Sequence, residues 1–209
     1  MRKIARIVGL LALLVFAAVL VLRFSPRPPD STDPAVFRGD GSTLSYCDAH
    51  PDPAGPFLAA DDIPVAHTPG CGYETFPMPV LEGCAEPLTP GAPDLRGLWQ
   101  ATSGMVGHVE RIEQCGNRVV ISSGGVIHDM RADGTLRSGV NDVSGAACLR
   151  IKVAAAFVDG ALELRPFGGP VVAVSRKMDG EELVWEYAGK TSRLERICDF
   201  PVQAQTGGK

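Results

Sequence analysis

Apolar and polar residues alternate over short stretches in the second half of the chain. From Leu149 to Phe157 every second residue is apolar, and two basic residues lie on the opposite parity. The same period recurs from Leu183 to Tyr187. A period of two is typical of a strand with one buried face, so these segments predict half-buried β-strands.

Turn-forming pairs separate the apolar stretches. Asp-Gly occurs at 133–134, 159–160 and 179–180, and Gly-Gly at 168–169. Such pairs supply the positive φ that tight hairpins need. The spacing predicts eight to ten short strands joined by hairpins. The predicted runs are 97–103, 108–114, 118–123, 125–131, 135–141, 149–158, 161–166, 171–178, 182–188 and 191–198.

A series of hairpins of this length predicts an all-β domain, an antiparallel up-and-down barrel over residues 94–200. Closure removes the free strand edges that an open sheet would expose. A barrel of this size is either filled by its own side chains or holds one small ligand. We predict that the last residues, 201–209, form a disordered tail.

The N-terminus predicts a single membrane helix. Ile7 to Leu22 is sixteen residues long without a charge, and Arg6 and Arg23 flank it. This length covers most of a bilayer core. We therefore predict a signal anchor over 1–25, with the N-terminus cytoplasmic and the rest periplasmic or extracellular. The alternative is a cleaved signal peptide, although no small-x-small site follows Leu22.

Proline and charge separate a linker from the barrel. Residues 26–93 contain fourteen of the seventeen prolines, which disfavour long helices and central strands. The net charge is +5 over 1–29, −9 over 30–93 and zero over 94–209. An acidic linker beside a neutral domain argues against nucleic acid as a partner. We predict a spacer to about Thr68 and an arm packed on the barrel over 69–93.

Six cysteines in an exported chain predict disulfides. No Cys-x2-Cys pair is present, which disfavours a zinc site and any other metal site. In a ten-strand meander Cys115 and Cys198 lie at the end where the first strand begins, near Cys84, whereas Cys148 lies at the opposite end. Cys115 and Cys198 are therefore expected to pair with each other or with the arm. The six are Cys47, Cys71, Cys84, Cys115, Cys148 and Cys198.

Two segments resemble the lipocalin and fatty-acid-binding-protein group. Gly97-Leu98-Trp99 resembles the Gly-x-Trp that opens the lipocalin barrel, where the tryptophan plugs the closed end. The hairpins from Arg176 to Ile197 are similar to the end of that group. The resemblance covers residues 94–198. It implies a lipocalin-like barrel in which a late arginine contacts either a ligand acid or the first-strand tryptophan.

Strand parity selects the candidate ligand-binding residues. Arg196 shares parity with Leu194, and Arg176 shares parity with Val174. Two inward arginines would suit a carboxylate or a lipid head group, unless they face water or pair with glutamate. Trp99 is either the plug or an ordinary core aromatic. The full set of candidates is Trp99, Phe157, Arg176, Trp185, Tyr187 and Arg196.

No motif for catalysis is recognisable. The serines lie outside Gly-x-Ser-x-Gly, and no phosphate-binding glycine pattern opens a helix. We therefore expect no enzyme activity and no cofactor. The first hypothesis is a membrane-tethered barrel that binds a small apolar or amphipathic ligand. The alternative is a filled-core interaction module whose partner is an envelope protein, which it inhibits or scaffolds.

Overall fold

The computed structural model describes residues 11, 13–16, 40–47, 58–68, 72–141 and 151–201, with the side chains of 138–141 and 151 excepted. Leu11 and residues 13–16 are helical and exposed. Within the described ranges, no helix has both the length and the apolar character needed to cross a bilayer. Most of the membrane helix predicted over Ile7–Leu22, and the tail from 202 onward, lie outside the described residues.

Ten antiparallel strands follow the linker, within the eight to ten that the turn spacing predicts. Each strand bonds to its sequence neighbours, and the order in the sheet is β4-β3-β2-β1-β10-β9-β8-β7-β6-β5. A short 3-10 helix over Gly41–Thr43 precedes them. The strands are β1 Gly97–Ala101, β2 Val109–Cys115, β3 Arg118–Ser123, β4 Val126–Arg131, β5 Arg137–Asn141, β6 Ile151–Val158, β7 Ala161–Pro166, β8 Val174–Asp179, β9 Glu182–Tyr187 and β10 Lys190–Ile197.

The sheet curls into a nearly closed barrel. The first and last strands pair along their length, with Trp99 opposite Arg196. Strands β4 and β5 lie side by side, but among the described residues no hydrogen-bonded ladder joins them. The all-β, up-and-down fold predicted from the hydrophobic pattern is thus confirmed.

The barrel has two ends that differ in character. We call the end where β1 begins the Trp99 end, and the end where β9 finishes the Tyr187 end. The interior half nearer the Trp99 end is packed with side chains that are almost completely buried. These include Leu95, Trp99, Ile112, Val119, Leu162 and Leu183.

A part of the linker packs on the outer face of β2, β3 and β4. Residues of this arm form an apolar cluster with outward side chains of the sheet: Ala60, Ile63, Ala66, Tyr73, Leu81, Cys115, Val120 and Ile127. All six residues of β3 are therefore buried. The arm begins earlier than predicted, because residues 58–68 and Tyr46 are packed in addition to 72–93. Burial of these apolar side chains stabilises the packed arm, whose prolines disfavour helix and central strand but not an irregular packed segment.

Two arginines on the outer face hold the arm. Arg118 forms a two-fold ion pair with Asp129 at 2.9 and 2.6 Å, and also donates to the carbonyls of Ala60, Ile63 and Pro64. Asp129 in turn accepts from the Ala66 amide at 2.8 Å. The guanidinium thus satisfies backbone carbonyls that a non-helical, non-sheet segment would otherwise bury unpaired.

The second arginine, Arg111, anchors the following part of the arm. It donates to the carbonyls of Pro77 and Met78 at 2.7 and 2.9 Å, and to the hydroxyl of Tyr46 at 3.0 Å. Glu113 pairs with Arg111 and accepts from the Leu81 amide at 2.7 Å. The arm is therefore fixed by charge-assisted bonds at two adjacent strands.

Two disulfides link residues that precede β1 to the barrel. Cys84 pairs with Cys115, which confirms the pairing expected between the arm and the end of β2. Cys198 pairs with Cys47, so the expectation that it would bond to Cys115, Cys71 or Cys84 is wrong. The reason is that residues 40–47 pack beside the end of β10, where Tyr46 donates to the Cys198 carbonyl. Cys71 and Cys148 lie outside the described residues.

Peptide mapping of the non-reduced chain tests this connectivity. We expect one linked pair containing Cys47 and Cys198, and a second containing Cys84 and Cys115. A peptide that joins Cys115 to Cys198 would contradict the placement of residues 40–47. The reduced and alkylated chain, digested in parallel, is the control.

Candidate functional site

A buried ion pair crosses the barrel interior near the Tyr187 end. Arg176 of β8 donates to both carboxylate oxygens of Glu110 of β2, at 2.9 and 2.8 Å. Three strands separate β2 from β8 in the sheet, so the contact spans the lumen rather than neighbouring strands. Both side chains are almost fully buried. The charge of each is therefore balanced by the other and not by water.

The ion pair changes the acidity of the carboxyl group. Burial alone raises the pKa of Glu110, but the charge and hydrogen bonds of Arg176, together with His108, outweigh burial and lower the pKa from 4.5 to about 2. His108 Nε2 lies 3.4 Å from a carboxylate oxygen of Glu110. Glu110 therefore stays ionised at any physiological pH and holds Arg176 in place.

Three aromatic rings form a row from the interior to the rim. His108 stacks on Trp185 with the ring centroids 4.6 Å apart, and Trp185 stacks on Tyr187 at 5.8 Å. The Arg176 guanidinium lies 5.2 Å from the Trp185 ring centroid. Trp185 is 6% exposed and Tyr187 is 50% exposed, so the row leads from solvent into the barrel.

The indole nitrogen of Trp185 is a buried donor without an acceptor in the described part of the chain. Trp185 Nε1 finds no hydrogen-bond partner among those residues, although Trp99 Nε1 donates to the Leu95 carbonyl at 2.9 Å. An unsatisfied donor in an interior costs free energy, and such donors are uncommon in native proteins. The side chain belongs to the interior apolar cluster, so the free N–H lies inside the barrel.

Trp99 lies fully buried at the opposite end of the interior. The Arg196 guanidinium lies 4.7 Å from the ring centroid of Trp99. Gly97 has a φ of +141°, and a Cβ there would lie 3.3 Å from Arg196 Nε and 3.5 Å from Trp99 Nε1. Glycine is therefore needed to let the arginine and the tryptophan approach each other. Arg196 itself is exposed.

The structure brings together only some of the residues predicted from parity. Arg176, Trp185 and Tyr187 meet at the Tyr187 end, whereas Trp99 and Arg196 lie at the other end. Phe157, near the end of β6, is half-buried against the core. Within the described ranges, no cluster of His, Cys, Asp or Glu is suited to hold a metal ion.

Sequence reasoning missed Glu110 and His108. The signal was present, because both share the parity of Ile112, an interior residue. It was obscured because β2 is buried on both faces, so its apolar and polar residues do not alternate cleanly. From the sequence we expect that, without a bound anion, Arg176 either faces water or pairs with a glutamate. The structure shows the pairing with Glu110.

The fold is a nearly closed, antiparallel, up-and-down β-barrel. No known family and no curated protein matches the sequence. Among solved structures, human cRBP IV is similar to 49% of this chain and 98% of its own, with 14% identity and a TM-score of 0.38. Neither the sequence identity nor the TM-score is high enough to assign the role of that protein to this chain.

Proposed function

We propose that the barrel binds a small, uncharged, largely apolar molecule at the Tyr187 end, without catalysing a reaction. The observation that carries this proposal is the N–H of Trp185, which is buried inside the barrel, has no acceptor among the described residues and lies next to the half-exposed Tyr187. A ligand with one acceptor oxygen would satisfy that donor. Its apolar body would pack along the rings of Trp185 and Tyr187.

The charge of the ligand follows from the ion pair. The Arg176 guanidinium lies 5.2 Å from the Trp185 ring centroid, and its hydrogen bonds to Glu110 are already made. An anionic ligand would have to displace Glu110 and leave that carboxylate buried without a partner, which is costly. The anion-binding role expected for Arg176 and Arg196 is therefore replaced in this proposal by a neutral ligand.

We further propose that the domain lies outside the cytoplasm and is tethered by the N-terminal apolar segment. The two disulfides of the described residues support this placement, because disulfides persist mainly in oxidising compartments. The uncharged run Ile7–Leu22 supports the tether.

Two retinoids with the same carbon skeleton test the charge of the ligand. In the full chain carrying Trp99→Phe, Trp185 is the only tryptophan and reports binding. We expect retinal to quench Trp185 saturably in lipid nanodiscs. Retinoic acid should bind at least about tenfold more weakly, because its carboxylate competes with Glu110. Tighter binding of the acid would contradict the proposal, and binding of neither would favour the filled-core interaction module.

The role of the free donor is tested by Trp185→Phe. This variant keeps an aromatic ring but removes the N–H, so calorimetry should show retinal affinity reduced roughly tenfold. Tyr187→Phe is the matched control: it removes a polar group from the same aromatic row, at a position that is half-exposed, and should leave the affinity unchanged. Equal losses of retinal affinity in both variants would show that the indole N–H donates no specific hydrogen bond to the ligand.

A further inference from the structure

The Tyr187 end carries an exposed apolar collar. Every large apolar side chain that is exposed on the described strands of the barrel and their connections lies at this end. The exposures run from 37% to 74%. The collar consists of Met105, Val106, Leu136, Phe167, Val171, Val172 and Tyr187.

The collar residues come from three connections and from the last residue of β9, and these segments adjoin one another. The Met105 amide donates to Ser192 Oγ, which places the β1–β2 connection beside the start of β10. The Ala188 amide donates to the Ala173 carbonyl, which joins the β9–β10 turn to the β7–β8 connection. Leu136 lies about 3.8 Å from the position of a Cβ on Gly168. The apolar side chains thus border one continuous rim.

One collar residue is held in an unfavourable backbone conformation. Phe167 has a φ of +58°, a region that bulky residues rarely occupy. The cost of such a residue is of order 1–3 kcal/mol, and it is usually retained where it serves a function. A phenylalanine at this position, 38% exposed, places an aromatic ring at the rim at the expense of stability.

The two ends of the barrel also differ in charge. The described connections at the Tyr187 end, 102–108, 124–125, 167–173 and 188–189, contain no Asp, Glu, Lys or Arg. The Trp99 end carries charges of both signs: Asp94 and Asp179 pair with Arg96 and Arg193, and Asp159, Glu181 and Asp199 lie at the same end as Arg196. Inserting that end into a bilayer would desolvate these charges, a cost that the uncharged connections of the Tyr187 end avoid. The exposed Lys190, paired with Tyr187 across the hairpin, can reach lipid phosphates.

The tether is long enough to let this end reach the membrane. Residues 23–39 separate the apolar run from Asp40, and a chain of this length spans at most about 60 Å. An eight-residue strand such as β6 is about 26 Å long. Gly41, the first residue after Asp40, bonds to the arm carbonyl of Phe76 beside the outer face of β2. The collar therefore lies within reach of the bilayer that would hold the apolar run.

From these observations we infer that the collar inserts into the surface of a lipid bilayer, so that the Tyr187 end of the barrel opens toward the membrane. The bilayer would then be the source of the ligand, and this purpose of the contact rests on the proposed function. The contact itself does not depend on which ligand the barrel binds. Insertion to a depth of about 5–10 Å would bury the collar side chains among acyl chains.

Tryptophans placed at the two ends test the contact. Val106→Trp, Val171→Trp and Glu181→Trp are made in the full chain, which is reconstituted in phosphatidylcholine and phosphatidylglycerol vesicles with brominated acyl chains. We expect the added fluorescence at 106 and 171 to be quenched at least about twofold. The matched control at 181, on the charged Trp99 end, should not be quenched. Equal quenching at all three positions, or none at 106 and 171, would overturn the inference.

A charged double variant separates the collar from the ligand site. Val106→Asp with Val171→Asp should increase exchange of amide hydrogens in residues 102–108 and 167–173 on vesicles, while retinal still quenches Trp185. If the wild-type collar is instead covered by a second copy of this chain, light scattering in detergent will show a dimer that the double variant abolishes, and the inference fails. Loss of retinal binding in the wild type, with quenching at 106 retained, would reject the proposed ligand and leave the bilayer contact standing.

Discussion

Replacing Arg118 by methionine is expected to lower the free energy of unfolding by about 3–5 kcal/mol, the largest single effect we predict. The substitution leaves the Asp129 carboxylate buried without its cation. It also removes the donor from three arm carbonyls, those of Ala60, Ile63 and Pro64. Methionine fills most of the volume, so the loss measured by denaturant unfolding reports the polar network and not a cavity.

Arg131→Met is the matched control, because Arg131 lies opposite Arg118 on the neighbouring strand. Its partner Asp61 is almost fully exposed, and such a pair contributes about 1 kcal/mol or less. Amide exchange localises the effect: in Arg118→Met the Ala66 amide should lose protection before the barrel strands do. If the two variants unfold at the same denaturant concentration, the arm is not held by Arg118.

Glu110→Gln is expected to destabilise the chain by a similar amount, about 3–5 kcal/mol near neutral pH, because it leaves Arg176 charged and buried. The double variant Glu110→Gln with Arg176→Met removes both charges and should recover most of that loss. Glu163→Gln is the control, since Glu163 pairs with Arg165 near the surface and should cost about 1 kcal/mol or less.

The same pair predicts a particular dependence on pH. The folded pKa of Glu110, about 2, lies below its unfolded value of 4.5. Its contribution to stability is therefore complete above pH 4.5 and is lost as the pH falls toward 2, on the order of 3 kcal/mol in all. Glu110→Gln should show a shallower fall of unfolding free energy across this window than the wild type. Parallel curves for the two proteins would place the ion pair outside the interior.

The strand pattern was predictable because each hairpin is a local event. Asp159-Gly160 and Asp179-Gly180 form turns in which residues adopt positive φ, and the strands on either side begin and end within a few residues of the predicted runs. Up-and-down topology requires only that each strand bond to its neighbour in sequence. Local turn chemistry was therefore sufficient for the order of the strands.

The arm was not predictable in the same way. Its packing depends on Arg111 and Arg118, charged residues that are most often found facing solvent. Nothing local shows that their partners are carbonyls more than thirty residues earlier, such as those of Pro77 and Ala60. The pairing of Cys47 with Cys198 was missed for the same reason.

By itself, the sequence determined the all-β class, a series of eight to ten antiparallel strands and the shared parity of Trp185 and Tyr187, because turns and period-two patterns act over a few residues. Only the tertiary structure decided that Arg176 meets Glu110 across the lumen, that Trp185 keeps a free N–H, and that the exposed apolar side chains gather at one end. Those features depend on barrel closure, which brings strands far apart in the chain to face one another.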